Sequence, residues 1–370
     1  MVAITIDKVW KYYGETPAVK ELSLTSTDGE FVCVLGPSGC GKSSTMRMLA
    51  GLEHISAGTI AFGSKVVNTL PPKDRDIAMV FENYALYPHK TVFENMANPL
   101  ILAKMGKSEI EQRVKQAASL LEIDHLLQRR PSELSGGQKQ RTAIGRAIVR
   151  QPKVFLFDEP IAHLDAKLRA RMRGELKHLQ RQIGVTTIYV THDQLEALSM
   201  ADRIAVMHDG VLQQFDTPSN VFNRPVNAWV ATFVGEPSMS LLQCQITTEN
   251  GIAVFAHPAF ALPVEPAMLQ RLNGSIATEV FIGIRPADLR ISREPSAGAV
   301  KAIIFADELL GSDLLVEVDV GSDRVRVLTQ PDFAGVMGDS CWISLDQRRL
   351  HVFDVATGAA ICHGPFFDGH

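Results

Sequence analysis

The eight residues Gly36-Pro37-Ser38-Gly39-Cys40-Gly41-Lys42-Ser43 constrain this chain more than any other stretch. They follow a short apolar run, Glu30 to Leu35, and precede a helix read over Thr45 to Ala50. The spacing GxxxxGK[ST] between strand and helix predicts a loop that holds phosphate. Its glycines let several backbone N–H groups turn toward one anion. The helix N-terminus adds partial positive charge. Lys42 then reaches the β- and γ-phosphates, and the Ser43 hydroxyl can ligate Mg²⁺. Ser38, Gly39, Cys40, Gly41 and Ser44 complete the loop's share of a nucleotide site.

Further elements alternate in the same way. Ile77 to Phe81, Val154 to Phe157 and Thr186 to Val190 read as apolar strands, and Ala166 to Gln182 as a long charged helix. Ser108 to Leu121 has helical spacing, with Ile110, Val114, Ala117, Leu120 and Leu121 on one face. Ser108 and Glu111 fit a capping box there. Alternating strands and helices imply a parallel sheet with helices packed on it. The pattern changes near Gly235-Glu236-Pro237-Ser238. Beyond it, β-like runs at 279–284, 299–305, 314–320, 324–328 and 340–345 are separated by Gly, Pro and Asp, an all-β pattern of one or two small barrels. The expected domains are 1–235 and 236–370.

The 370 residues exceed what one hydrophobic core usually serves, in agreement with two domains. With 46% hydrophobic and 21% charged residues, wholesale disorder is excluded. The balance of 37 basic and 41 acidic residues leaves no footprint for nucleic acid. No run approaches the length of a membrane-spanning helix, and the first residues lack the features of a signal peptide. Five dispersed cysteines with no CxxC pair argue against a disulfide framework or a zinc site, so a reducing, cytoplasmic compartment is expected.

The later motifs select among phosphate-loop proteins. Leu134-Ser135-Gly136-Gly137-Gln138, then Phe157-Asp158-Glu159-Pro160, Leu164-Asp165 and Thr191-His192 follow the loop in order. That ordered set resembles the nucleotide-binding subunit of an ATP-binding cassette (ABC) transporter, over residues 3 to 235. The resemblance implies a P-loop cassette with a helical subdomain over about 85–150. Asp158 would hold Mg²⁺, through water. Glu159 would polarise the attacking water, since a carboxylate accepts protons. His192 would touch the γ-phosphate and keep Glu159 and the water aligned. Ser135, Gly136, Gly137 and Gln138 sit at a helix N-terminus suited to a γ-phosphate. By family likeness they address ATP held by an opposing cassette, so that two cassettes sandwich two ATP molecules, and Asp165 is a further expected ATP-binding residue. Val9 to Gly14 resembles the loop whose aromatic stacks on adenine, and Tyr13 is the candidate by its place before the glycine.

Three departures from the family pattern stand out. Glu82 occupies a position that normally carries Gln and keeps an oxygen for Mg²⁺. Its charge near the γ-phosphate costs on the order of 3 kcal/mol at about 5 Å and an effective dielectric of 20, before Mg²⁺ offsets it. Two alternatives follow: Glu82 is a working Mg²⁺ ligand, or it marks a slower site paired with a cassette that has Gln. His163 stands where a small polar residue is usual, and Ser44 replaces Thr. Cys40 in the loop lies near a helix N-terminus, which predicts a lowered thiol pKa and loss of ATP binding on alkylation.

Tyr84-Ala85-Leu86-Tyr87-Pro88-His89 closely resembles the maltose-transporter ATPase group, which serves importers of oligosaccharides, polyols and glycerol phosphate. The runs 132–134, 194–198, 233–237 and 284–289 fit the same group. The likeness implies that Tyr84, Ala85, Leu86, Tyr87 and Pro88 line a groove for a cytoplasmic helix of a permease. It implies a C-terminal oligonucleotide-binding-like β domain used for regulation and dimer contacts, with no nucleic acid. The partners expected are a second cassette (identical or paralogous), permease subunits and, indirectly, a periplasmic or extracellular solute-binding protein. The place expected is the cytoplasmic membrane face, peripherally. A soluble cassette acting on DNA or ribosomes is disfavoured by the missing basic excess, second cassette and coiled-coil insertions.

Overall fold

The computed structural model describes residues 2–81, 84–162, 164–272, 278–296 and 298–369. The chain divides into two compact units, Met1–Pro218 and Ser219–His370.

The first unit runs β1 (Ile4–Tyr13), β2 (Thr16–Thr25), β3 (Phe31–Leu35), α1 (Lys42–Ala50), β4 (Ala57–Phe62), β5 (Lys65–Val66), β6 (Ile77–Val80), α2 (Val92–Leu102), α3 (Lys107–Leu120), α4 (Gly136–Ile148), β7 (Val154–Asp158), α5 (Ala166–Ile183), β8 (Thr186–Thr191), α6 (Gln194–Met200), β9 (Arg203–His208) and β10 (Val211–Asp216). Its main sheet has the order β10-β9-β3-β8-β7-β6, parallel except for β10. All five residues of β3 and the first four of β7 are buried, as strands covered on both faces require. A second, antiparallel sheet has the order β2-β1-β4-β5. Ile4, Val9, Val19 and Ile60 from that sheet share one core with Val34, Leu156 and Val190 from the other, and with Met46 and Leu49 of α1.

Helices obey their local signals with two exceptions to the sequence reading. α5 buries Met172, Leu176 and Leu179 along one stripe and ends at Gly184 in the left-handed conformation. α3 starts at Lys107 after an extended Gly106, so Ser108 lies inside the first turn and caps nothing. Its stripe is Ile110, Val114, Ala117 and Ala118; Leu121 is buried past the last turn, while Leu120 turns outward, 38% exposed. Capping boxes instead open α2, at Thr91 and Glu94, and α4, at Ser135 and Gln138. Helices α2, α3 and α4 pack on one another within the range expected for a helical subdomain.

The second unit begins with α7 (Pro218–Asn223) and α8 (Ala228–Phe233), ahead of the boundary expected at 235 to 240. Composition changes where β character begins, but contacts change earlier. Val230, Ala231 and Val234 are fully buried, and the Arg285 guanidinium donates to the carbonyls of Val234 and Phe222. The unit then continues through β11 (Ser240–Glu249), β12 (Ile252–His257), β13 (Phe260–Pro263), α9 (Pro266–Leu272), β14 (Glu279–Ile284), β15 (Leu289–Ser292), β16 (Val300–Leu309), β17 (Leu314–Val320), β18 (Asp323–Thr329), β19 (Ser340–Leu345), β20 (His351–Asp354) and β21 (Ala360–His363).

Two antiparallel sheets result, β13-β12-β11-β14-β20-β21 and β15-β19-β16-β17-β18, around one apolar core. The all-β expectation holds. Val325 and Val327 point inward, while Arg324 and Arg326, alternating with them, face outward, directly opposite Asp319 and Glu317 on β17, each pair at 2.9 Å.

Candidate active site

Strand register gathers the functional motifs. On the parallel sheet Leu35 pairs with Thr191, and Asp158 pairs with Val190. Three strands therefore end at one level: β3 runs into the glycine loop, β7 into Asp158-Glu159, and β8 into Thr191-His192. Ligands of open parallel sheets bind beyond such carboxyl ends.

The loop's glycines are there for space and for conformation. Gly41 has φ 103°, and a Cβ on it would come within 2.6 Å of the Ala18 carbonyl oxygen. A Cβ on Gly36 would meet the Met207 carbonyl at 2.3 Å. Ser38, Gly39 and Ser43 are exposed along the loop's outer side. Lys42 is buried, its ammonium folded back across the loop and donating to the carbonyls of Gly36 (2.8 Å) and Pro37 (2.9 Å). An arriving phosphate offers that ammonium a charged acceptor in place of two neutral carbonyls.

Cys40 departs from expectation. It is buried, and burial lifts its thiol above the ordinary range against the opposing pull of the Lys42 ammonium. The helix N-terminus does not activate it, because dehydration of a thiolate outweighs the favourable field.

Glu159 and His192 are brought together, with Glu159 Oε2 2.9 Å from His192 Nδ1. Glu159 holds φ 44°, unusual for a residue with a Cβ, and its N–H donates to the Val190 carbonyl at 3.0 Å. Such conformations cost on the order of 1–3 kcal/mol and concentrate at working sites. Asp193, next to His192, caps α6, and Arg169 of α5 lies 3.4 Å from it. Asp158 is half-buried at the end of β7.

For a hard divalent cation, the Ser43 hydroxyl and the Asp158 carboxylate are oxygen donors of the kind Mg²⁺ takes. Among the described residues no group of three or more His, Cys, Asp or Glu could hold a metal alone. Glu82 and His163 lie outside the described residues.

Tyr13 ends β1, 46% exposed, and its hydroxyl donates to Glu53 and sits 3.2 Å from the Ser44 hydroxyl on α1. The ring expected to stack on a base is thus tied to the helix that bears the phosphate loop.

Ser135 caps α4: its Oγ accepts from the Gln138 N–H, and Gln138 Oε1 accepts from the Ser135 N–H. Gly136 and Gly137 lie close to Leu164 and Leu168, where added Cβ atoms would approach those side chains to 3.0 and 3.3 Å. Asp165 between those leucines caps α5. Among the described residues no hydrogen bond joins Ser135, Gly136, Gly137 or Gln138 to the glycine loop of the same chain.

A groove of about 640 Å³ opens at Tyr87, lined also by Leu52, Met79, Phe81, Pro99 and Leu102. Of the five residues expected to line it, only Tyr87 does. Tyr84 and Ala85 instead form a turn with φ 59° and 47°, held by Arg146 of α4, which donates to both their carbonyls (3.1 and 2.5 Å). Asn95, fully buried, bonds both backbone groups of Tyr87. Leu52 and Leu102, 52% and 75% exposed, are walls that the sequence reading missed; for Leu102, an apolar residue at an outward position at the end of α2, that position was the available signal.

A family model described as ABC transporter matches residues 19–162, and one described as TOBE domain matches residues 282–353. The chain is 50% identical to the trehalose/maltose import ATP-binding protein MalK of Thermococcus litoralis, covering 98% of this chain and 100% of that protein. It is 44% identical to the sulfoquinovosyl glycerol transport ATP-binding protein SmoE of Agrobacterium fabrum, over 98% of this chain and 100% of that protein. It is 45% identical to the sn-glycerol-3-phosphate import ATP-binding protein UgpC of Escherichia coli O157:H7, over 96% and 98%. Among solved structures it is similar to dimeric MJ0796, a bacterial ABC transporter cassette, with TM-score 0.52 and 32% identity over 58% of this chain and 98% of that one.

Proposed function

This chain belongs to the family of ABC transporter ATP-binding subunits, ATPases coupled to transport, and on that premise we propose that it drives import of a carbohydrate, a polyol or a glycerol phosphate through a membrane permease. The observation that carries the chemistry is the Glu159–His192 pair, at the same carboxyl ends of the parallel strands as the phosphate loop.

In this reading Tyr13 stacks on adenine, and the loop amides with Lys42 hold the β- and γ-phosphates. Ser43 and Asp158, with Glu82, would hold Mg²⁺, and when bound it would offset the negative charge of the phosphates. Glu159 accepts the proton of the attacking water as its oxygen bonds to the γ-phosphorus and the bond to ADP breaks. His192 fixes the Glu159 carboxylate and meets the γ-phosphate. Ser135, Gly136, Gly137 and Gln138, with Asp165, face the ATP of a second cassette, either another copy or a paralogue.

The Tyr87 groove takes an amphipathic cytoplasmic helix of the permease, its apolar walls matching the apolar face of such a helix. No helix among the described residues is long and apolar enough to cross a membrane, so in this reading the chain works at the cytoplasmic face through that groove. The all-β second unit serves regulation and dimer contacts.

The test is co-purification with permease from solubilised membranes, followed by ATP-dependent uptake by the reconstituted complex of maltose, trehalose, glycerol and glycerol 3-phosphate. Uptake of one of these solutes, and loss of co-purification with Leu102→Glu, is the expected result. A complex that couples ATP hydrolysis to none of these solutes would overturn the solute class, and unaltered co-purification of Leu102→Glu would remove the groove from the account.

A further inference from the structure

The carboxylate of Glu53 stands at the centre of a network that no motif announces. It lies just past the C-terminus of α1, and its side chain is 18% exposed. Three donors converge on it: the Tyr13 hydroxyl, the Lys11 ammonium at 3.2 Å and the Arg47 guanidinium at 3.4 Å. Burial raises the carboxyl, but the hydrogen bonds from Tyr13, Lys11 and Arg47 more than offset it and hold Glu53 below the ordinary carboxylate range.

Two of these contacts bear on the Tyr13 ring. The hydroxyl end is fixed by Glu53 and by Ser44, one residue from Ser43 in the loop helix. The Lys11 ammonium stands 4.8 Å from the ring centroid and is itself held by Glu53 and by the His54 carbonyl at 2.9 Å. Lys11 thus engages the ring's π-face as a cation while the ring stays 46% exposed to solvent. A free tyrosine at a strand end would sample several rotamers, each a loss on stacking. Tying the hydroxyl end of the ring to Ser44 of α1 and to Glu53 just past it couples the stacking platform to the helix that bears the phosphate cradle.

We propose that Glu53 is a positioning residue for nucleotide binding, locking the Tyr13 ring at the fixed distance from the phosphate loop that a nucleoside triphosphate spans. The proposal rests on the reading of Tyr13 as the adenine platform, and one experiment separates the two.

Equilibrium affinities of the purified chain are measured for ATP and for inorganic tripolyphosphate, which offers the loop a phosphate chain without a base. Tyr13→Ala tests the platform. Tyr13→Phe keeps the ring and removes its tether, and Glu53→Ala removes the hub. The expected result is weaker ATP binding by about tenfold in Glu53→Ala and several-fold in Tyr13→Phe, with tripolyphosphate affinity held within about twofold. Glu53→Gln, which still accepts from the Tyr13 hydroxyl, recovers part of the loss.

If Tyr13→Ala binds ATP as the parent does, the platform reading fails. If Tyr13→Ala weakens ATP while Tyr13→Phe and Glu53→Ala do not, the platform stands and the role of Glu53 fails. Equal loss of ATP and tripolyphosphate in Glu53→Ala also overturns the proposal, since Glu53 would then support the helix rather than the ring.

Discussion

Glu159→Gln is expected to lower ATP turnover by on the order of 10²- to 10⁴-fold while leaving ATP affinity within a few-fold. Gln is nearly isosteric, so the hydrogen bond of 2.9 Å to His192 Nδ1 can persist with the amide oxygen as acceptor. What is lost is the proton acceptor. The loop residues proposed to hold the phosphates, Lys42 and its neighbours, lie on a different strand end and keep their geometry. ATP bound without turnover should therefore accumulate, and a paired, ATP-closed form should outlive that of the parent chain. Phosphate release and nucleotide affinity, measured on the same preparation, check the split. A variant that hydrolyses within threefold of the parent would remove Glu159 from the proton-transfer role.

The second large effect is on stability and lies in the all-β unit. His351 is fully buried, its Nδ1 2.8 Å from Nδ1 of His363, and its Nε2 is buried without a hydrogen-bond partner. Burial, the facing His363 and nearby Arg285 depress His351 to about 2. Burial, with Arg224 and Arg271, depresses His363 to about 4. Asp368 faces the same cluster but is engaged by Arg271 and Arg224. The pair needs one nitrogen as donor and one as acceptor, so doubly protonated rings would aim two donors at each other.

The unfolded chain takes up these protons near pH 6.5, where histidine ordinarily titrates, and the folded chain does not. Stability contributed by the pair is complete above that pH and is lost as pH falls toward the folded values. At pH 5 the loss is at most about 2 kcal/mol for each histidine, less for the partly exposed His363. Thermal unfolding between pH 7.5 and 5 should show the second unit weakening first. His351→Phe, which keeps the stack on Phe367 (ring centroids 4.6 Å apart), should flatten that slope. The half-exposed His363→Gln gives a milder control. An unfolding temperature that does not move over this range, or a slope retained in both variants, would contradict the assignment.

Much of this was legible in the sequence because the informative signals are local. The glycine loop, the acidic strand end at Asp158-Glu159 and the Ser135 cap each announce themselves within a few residues. Strand existence and the inward alternation of Val325 and Val327 follow from period alone. What resisted reading depends on contacts between distant segments. The register that sets Asp158 beside Val190 has no signature in either strand. Glu53 lies 40 residues from Tyr13 along the chain, and Arg146 lies 61 from Ala85, so neither bond could be anticipated from spacing. Cys40 was misjudged because a helix N-terminus is visible in sequence while burial is not. The Ser108 cap failed because Gly106, already extended, starts α3 ahead of it.

Hydrolysis, as proposed, needs the phosphate loop of one cassette and the Ser135 segment of another. This requirement is tested most directly by mixing two disabled chains, Lys42→Ala and Ser135→Arg, and measuring phosphate release. Each alone should be inactive. The mixture should regain about a quarter of the parent rate, since half of the randomly formed dimers are mixed and each has one intact site of two. A mixture as inactive as its components, in an assay where the parent chain hydrolyses ATP, would contradict it.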